Sequence, residues 1–221
     1  MKIFLHICCA PCLIYFCEYF KEENIPWKGF FFNPNIHPEE EYIKRADCLK
    51  KFIEGNKFPV DFECRNPDGI GAHDSEQEFA KKIGENKELW KESKNNRCCI
   101  CYEWRLKETA RNAKKEGYRY FSTTLLISPY QDHDKIKDLG EKIAKEFGLE
   151  FYYKDFRPFF REGRKMAKEN IFYMQKYCGC FFSAGEMISR LKKKNPALPK
   201  IKGRFRWGDS QVRDNFWRKG W

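Results

Sequence analysis

Short apolar runs alternate along this chain with longer stretches whose apolar residues recur at helical spacing, and no other feature constrains the fold as much. Residues 2–7 are a nearly continuous apolar run, after which Leu13, Phe16, Cys17 and Phe20 mark a helix face. Residues 27–32 read as a second strand, closed by Asn33-Pro34-Asn35 and followed by a helix striped with Tyr42, Ala46, Leu49 and Ile53. A third strand is expected over residues 58–64, then a charged helical stretch over 75–94 with breaks near Gly84. Tyr102, Leu106, Thr109, Ala110 and Ala113 stripe the next helix, and residues 119–127 are β-branched and aromatic. Ile136, Leu139, Ile143 and Phe147 form a further helix face before a last strand at 149–153. Strands joined by helices of this length pair in parallel through right-handed crossovers. The expected fold class is therefore α/β, a parallel sheet with helices on both faces. Beyond Phe159 the strands stop, and residues 169–177 and 183–193 are expected to be helical.

In such sheets ligands bind beyond the carboxyl ends of the strands. The polar motifs gather at those ends: Cys8, Cys9 and Cys12 after the first strand, and Asn33, Asn35 and His37 after the second. Residues 128–134 follow the fourth, and Asp155 with Arg157 the fifth. One site can collect them all. The 221 residues suit one domain or a domain with a small appendage. With 42% apolar and 17% aromatic residues the chain is neither disordered nor, given its short apolar runs, a membrane-spanning one. The apolar N-terminal run carries His6 and is too short for a secretory signal, so the expected location is the reducing cytoplasm, with no membrane partner.

Eleven cysteines are an excess for such a compartment, where thiols are kept from forming structural disulfides. Metal binding or redox chemistry explains them better. Three clusters stand out: Cys8-Cys9-Ala10-Pro11-Cys12, Arg97-Cys98-Cys99-Ile100-Cys101-Tyr102 and Tyr177-Cys178-Gly179-Cys180. A Cys-x2-Cys spacing aims two sulfurs at one metal or cluster, and Cys9 with Cys12 would open a helix, whose dipole favours thiolate. Cys17 and Cys48 on helix stripes and Cys64 at a strand end read as small buried hydrophobes, whereas Cys99 breaks the phase of its cluster and stays undecided. The seven others exceed one tetrahedral zinc site, and an iron–sulfur cluster takes four, which leaves thiols over for redox work. Cys178-Gly179-Cys180 suits that use, because a Cys-x-Cys disulfide closes a cramped, easily reduced ring.

The net charge of +11 is concentrated at the C-terminus, where residues 190–221 hold eleven Lys and Arg against two Asp. Phe205, Trp207, Phe216, Trp217 and Trp221 are interleaved with those cations, a pattern suited to phosphate neutralisation and base stacking on nucleic acid. Three parts are thus expected. Residues 1–158 form an α/β metal-binding catalytic core, 159–195 a helical segment that completes the site with Cys-Gly-Cys, and 196–221 a basic aromatic tail.

Six motifs, taken in order, resemble the QueH-type epoxyqueuosine reductases. They are Leu5-His6-Ile7-Cys8-Cys9-Ala10-Pro11-Cys12; Phe32-Asn33-Pro34-Asn35-Ile36-His37-Pro38; Arg97-Cys98 to Cys101-Tyr102 with Arg105-Leu106 and Thr109-Ala110; Thr123-Thr124-Leu125-Leu126 with Ser128-Pro129-Tyr130-Gln131; Asp155-Phe156-Arg157; and Tyr177-Cys178-Gly179-Cys180. The resemblance implies a nucleotide-hydrolase-like α/β fold and reduction of epoxyqueuosine to queuosine at the wobble position of a tRNA, without cobalamin. It implies that Cys8, Cys9, Cys98 and Cys101 ligate a 4Fe-4S cluster and that Cys178 and Cys180 form a redox-active pair reloaded by an unidentified electron donor. Cys12 is left for a second metal, a mononuclear iron, or for substrate. Asp132, His133 or Asp134 could complete that metal's shell or deliver a proton, although a helix cap with an acidic first turn explains the same residues. Asn33 and His37, beside prolines, read as turn formers.

Two other readings compete. Cys9-Ala10-Pro11-Cys12 after a strand imitates a thioredoxin-like thiol oxidoreductase, and the basic aromatic tail fits a zinc-stabilised RNA-binding module.

Overall fold

The computed structural model describes residues 1–62 and 94–194. Strand β1 (Ile3–His6) is buried at every position because it occupies the middle of a five-stranded sheet, which is why its sequence is apolar without alternation. The strand order is β3-β2-β1-β4-β5, and every pairing is parallel. From β1 the chain runs through α1 (Ala10–Glu22), β2 (Trp27–Phe31), α2 (Glu39–Asn56) and β3 (Val60–Phe62), building outward on one side. It returns through α3 (Lys94–Lys115) to β4 (Tyr120–Thr123) on the other side of β1, and α4 (His133–Phe147) leads to β5 (Glu150–Phe151). Helices α5 (Phe160–Glu169) and α6 (Phe181–Lys194) follow.

Right-handed crossovers running in opposite directions put their helices on opposite faces of the sheet. The packing agrees: α1 lies against α2 and α5, while α3 lies against α4, β1 and β4. Leu13, Phe16 and Phe20 of α1 and Leu106, Ala110 and Ala113 of α3, the residues of the two stripes, are all buried. Asp132 caps α4 by accepting the Lys135 N–H at 3.2 Å, and Gly148 at φ 70° ends it in the left-handed conformation that glycine takes without strain. Gly140 inside α4 lets Phe151 of β5 dock, since a Cβ there would lie 2.4 Å from the phenyl ring.

Several expected elements change. Residues 119–127 are not one strand: β4 stops at Thr123, whose hydroxyl accepts the Leu125 N–H and turns residues Thr124–Ile127 into a 3-10 helix. The third and fifth strands shrink to Val60–Phe62 and Glu150–Phe151. The helix expected over 169–177 is absent. Helix α5 lies upstream of it, and Ile171 at φ 55° turns the chain into an irregular segment whose polar groups are used by α1 and α2. The helix expected over 183–193 is α6. Cys17 is buried in the core as expected, and Cys48 is half-buried at its edge, accepting the Tyr173 N–H on sulfur at 3.3 Å. Cys64, most of the charged stretch 75–94 and the basic tail lie outside the described residues.

Candidate metal centre

The strand order reverses between β1 and β4, and a crevice at such a switch point is where parallel α/β sheets hold ligands. His6 closes β1 there. Its buried ring has Nδ1 2.8 Å from Thr123 Oγ1 and Nε2 3.0 Å from the Phe32 carbonyl. A carbonyl only accepts, so Nε2 carries the proton and Nδ1 accepts the hydroxyl. Burial, aided by the Arg105 guanidinium, lowers the ring's pKa to about 3 and keeps it neutral. The ends of β1, β2 and β4 are thereby tied together.

Two residues beyond, the Cys8 N–H donates to Thr124 Oγ1 at 3.0 Å, and the Thr124 hydroxyl donates to Cys8 Sγ at 3.2 Å. Cys9 precedes α1 and Cys12 lies in its first turn, with the Cys12 and Leu13 N–H groups both donating to the Cys9 carbonyl. The sulfurs of Cys8, Cys9 and Cys12 consequently lie within 4.8 Å of one another, a spacing that suits one metal. Hydrogen bonds from Cys12 and Cys9 hold the Cys8 thiol well below its ordinary pKa. Burial raises that of Cys9, and hydrogen bonding to Cys8 and Cys9 raises that of Cys12. Three cysteine sulfurs at one point are a soft donor set matched to iron–sulfur chemistry, zinc or copper(I). Gln175 adds an N–H from the irregular segment to Cys9 Sγ at 2.9 Å.

A second group faces the first. Cys98 and Cys101 stand one turn apart on α3, and Cys101 packs with Trp104, Cys180 and Phe182. Burial pushes the Cys101 thiol up to about 12, against the nearby Arg105, and Cys178, Cys180 and Cys98 all lie close enough to add to its electrostatic surroundings. Cys180 leads into α6: its carbonyl accepts the Ala184 N–H at 3.0 Å, and its sulfur accepts the Ser183 N–H at 3.5 Å. Cys178 is exposed, 3.8 Å from Gln131 Nε2, whose Oε1 accepts the Tyr102 hydroxyl. The loop after β4 therefore reaches the Cys-Gly-Cys segment. No disulfide joins any two cysteines among the described residues.

The Cys-Gly-Cys segment is held by a buried ion pair that the motifs did not reveal. Arg45 bonds Glu41 Oε1 at 2.7 Å, both side chains being nearly inaccessible, and donates to the Cys178 and Tyr177 carbonyls at 3.0 Å each. The Tyr173 hydroxyl donates to the other Glu41 oxygen at 2.6 Å, and the His37 N–H donates to the Gly179 carbonyl at 2.8 Å. Gly179 sits at φ +124°, and a Cβ there would stand 3.1 Å from Arg45 Nη1 and from Ile36 Cγ1, so only glycine fits. Arg45→Met strands Glu41 in the core, and a broken buried pair costs about 3–5 kcal/mol. Urea unfolding should show a loss of that size, with part of it recovered by adding Glu41→Gln.

His133 and Asp134 stand apart from this geometry. His133 is buried, donates from Nε2 to the Ser128 carbonyl at 3.2 Å and lies 3.9 Å from Asp155, while Asp134 is exposed in the first turn of α4. Among the described residues, only Cys8, Cys9 and Cys12 form a group of three His, Cys, Asp or Glu ligands around one position. Cys99 is half-buried on α3. Asn33 opens the expected turn, its carbonyl accepting the Ile36 N–H at 3.3 Å, while its side chain donates to the Ile7 carbonyl beyond β1 at 2.8 Å.

A protein-family model described as "Epoxyqueuosine reductase QueH" matches residues 3–186. The chain belongs to the QueH family. It is 35% identical to the epoxyqueuosine reductase QueH of Dehalococcoides mccartyi over 189 residues, covering 86% of this chain and 96% of the relative. The Thermotoga maritima QueH is 34% identical over 185 residues, covering 82% and 89%, and that of Staphylococcus epidermidis 32% over 188 residues, covering 83% and 76%. All eight clustered cysteines fall within the span of the QueH match, and residues 187–221 fall outside it. Sequence reading passed over Glu41, Arg45 and Gln175. A signal was present for the first two, a Glu and an Arg four residues apart beside the Tyr42, Ala46 and Leu49 stripe, where a purely solvated face would carry them farther round the helix.

Proposed function

We propose that this chain reduces the epoxide of epoxyqueuosine in the anticodon of a tRNA to the alkene of queuosine, as a cobalamin-independent oxidoreductase. Removing the epoxide oxygen as water consumes two electrons and two protons, and among side chains only a dithiol can supply electrons. The observation that carries the reading is the close trio of Cys8, Cys9 and Cys12 at the sheet's switch point, with Cys101 packed against Cys180, inside a QueH match over residues 3–186. The donor set fits the family's expected group: three sulfurs within 4.8 Å, with a buried cation nearby. Cys8, Cys9, Cys98 and Cys101 would hold a 4Fe-4S cluster, and Cys12 a mononuclear iron. When bound, the cluster supplies electrons and the iron polarises the epoxide oxygen as a Lewis acid.

The chain's own groups do the rest. Cys178 and Cys180 would pass electrons as a dithiol, a role supported by Arg45, which takes the Tyr177 and Cys178 carbonyls, and by Gly179. Asp134 or His133, both at the start of α4, is the proposed proton source. A second partition is favoured by the close trio: Cys8, Cys9 and Cys12 on one centre, and Cys98, Cys101, Cys178 and Cys180 around the other. Unbridged thiols fit the reducing cytoplasm, and no helix among the described residues is long and apolar enough to cross a membrane.

Anaerobically purified protein should be brown, contain iron and sulfide, and convert epoxyqueuosine tRNA to queuosine tRNA with a chemical reductant, read by nucleoside mass spectrometry. Colourless protein with zinc alone would favour an RNA-binding module, and colourless metal-free protein a thiol oxidoreductase.

The basic aromatic tail is proposed to grip the anticodon arm, because single-stranded loops are recognised by stacking and by cations along the phosphates. Truncation after Leu198 should leave the metal content unchanged and weaken tRNA binding. It should also flatten the log–log salt dependence by roughly 0.7 to 0.9 for each phosphate that the protein no longer neutralises. Unchanged affinity and slope would move the RNA contact to Arg157 and to Tyr130, which is 79% exposed, and away from Arg105, which is buried.

A further inference from the structure

Arg105 is the largest of the side chains that are almost completely buried. Its Nε donates to the Cys101 carbonyl at 3.3 Å in its own helix, Nη1 reaches Asn33 Oδ1 only at 3.5 Å, and Nη2 has no acceptor. Among the described residues it has no carboxylate partner, in contrast to Arg45, which is equally buried but paired with Glu41. A guanidinium does not deprotonate in proteins, so it cannot escape burial by becoming neutral. An unpaired buried charge is costly enough that some anion must balance it.

Apart from burial, the groups that act most on its charge are Cys101, Cys178 and Cys8, followed by the Tyr102 hydroxyl. The guanidinium runs from the Cys101 carbonyl to Asn33, whose amide donates in turn to the carbonyl of Ile7, the neighbour of Cys8, so it links the α3 cysteines to the end of β1. The two acceptors its donors reach, a backbone carbonyl and a side-chain amide oxygen, are neutral and balance no charge. Thiolates fixed by a metal do.

We propose that Arg105 is the built-in counter-charge of the thiolate metal centre, a positioning residue that retains the metal and raises its reduction potential. The inference rests on the functional reading above and concerns a group that the reading leaves unused. Reduction adds negative charge to the centre. A fixed cation in a low-dielectric interior stabilises the reduced form more than the oxidised one, because attraction there is weakly screened. Asn33 and the Cys101 carbonyl aim the guanidinium and leave Nη2 unspent.

The test uses anaerobic holoprotein of the wild type, Arg105→Lys, Arg105→Gln and Arg105→Met. Midpoint potentials come from redox titration followed by absorbance and electron paramagnetic resonance, and metal retention from the rate of iron loss to a chelator. The neutral variants should shift to a more negative potential and lose iron several-fold faster, while Arg105→Lys, which keeps the charge, stays nearer the wild type. If Arg105→Met does not fold, Gln against Lys still separates charge from packing. Equal potentials in fully loaded variants would overturn the proposal, even if all were less stable, because packing alone does not move a potential with charge. Zinc-only wild type would instead defeat the functional reading, and the chelator rates, read with zinc, would still decide on Arg105. Wild type that binds neither metal would overturn both.

Discussion

Serine at Cys8, Cys9, Cys98 or Cys101 should bleach the cluster absorbance, remove most of the iron and sulfide and abolish turnover. A hydroxyl is a hard, weakly acidic donor that does not replace a thiolate on an iron–sulfur cluster. Cys8 is the most demanding of these positions. Its sulfur accepts the Thr124 hydroxyl at 3.2 Å and lies 3.7 Å from Cys9 Sγ, contacts that favour its thiolate. Elemental analysis of the anaerobic variants decides. Full iron and sulfide in all four would defeat the assignment. Loss in Cys12→Ser with retention in Cys98→Ser would select the partition in which the close trio holds one centre.

Cys178→Ser and Cys180→Ser should instead leave iron near its normal content while lowering turnover about a thousandfold or more, the scale of removing a residue that acts as one of a unit. Their backbone, not their sulfurs, anchors the segment. Arg45 takes the Tyr177 and Cys178 carbonyls, and His37 takes that of Gly179, so a change of Sγ to Oγ leaves the loop in place. Metal analysis beside single-turnover assays separates electron transfer from metal holding. Loss of the whole cluster in both variants, or full activity in both, would show that this division of labour is wrong.

The parallel sheet was legible because β1 is apolar at every position and the stripes on α1, α3 and α4 keep a helical period. What was misread fell where local contacts outweigh pattern. The β-branched run 119–127 looked like a single strand, but the Thr123 hydroxyl caps a turn within it. Residues 169–177 had a plausible helical composition, yet Tyr173, Gln175 and the Tyr177 carbonyl bond to α1 and α2 instead of to their own helix. Tertiary hydrogen bonds override weak helix propensity in so short a segment.

By itself the sequence determined the fold class, the identity of the cysteine clusters and the place of the first of them at the end of β1, because periodicity and short spacing act over a few residues and leave local marks. Only the tertiary structure decided how those clusters meet. Cys8, Cys9 and Cys12 close to within 4.8 Å, Cys101 meets Cys180 across nearly eighty positions of chain, and Arg105 is buried between the Cys101 carbonyl and Asn33 with no carboxylate partner among the described residues. Such distances depend on the strand order reversing between β1 and β4 and on the Glu41–Arg45 pair pulling the Cys-Gly-Cys segment over that edge. Both bring together residues far apart along the chain, and a buried charge shows itself as unbalanced only when everything packed around it is known.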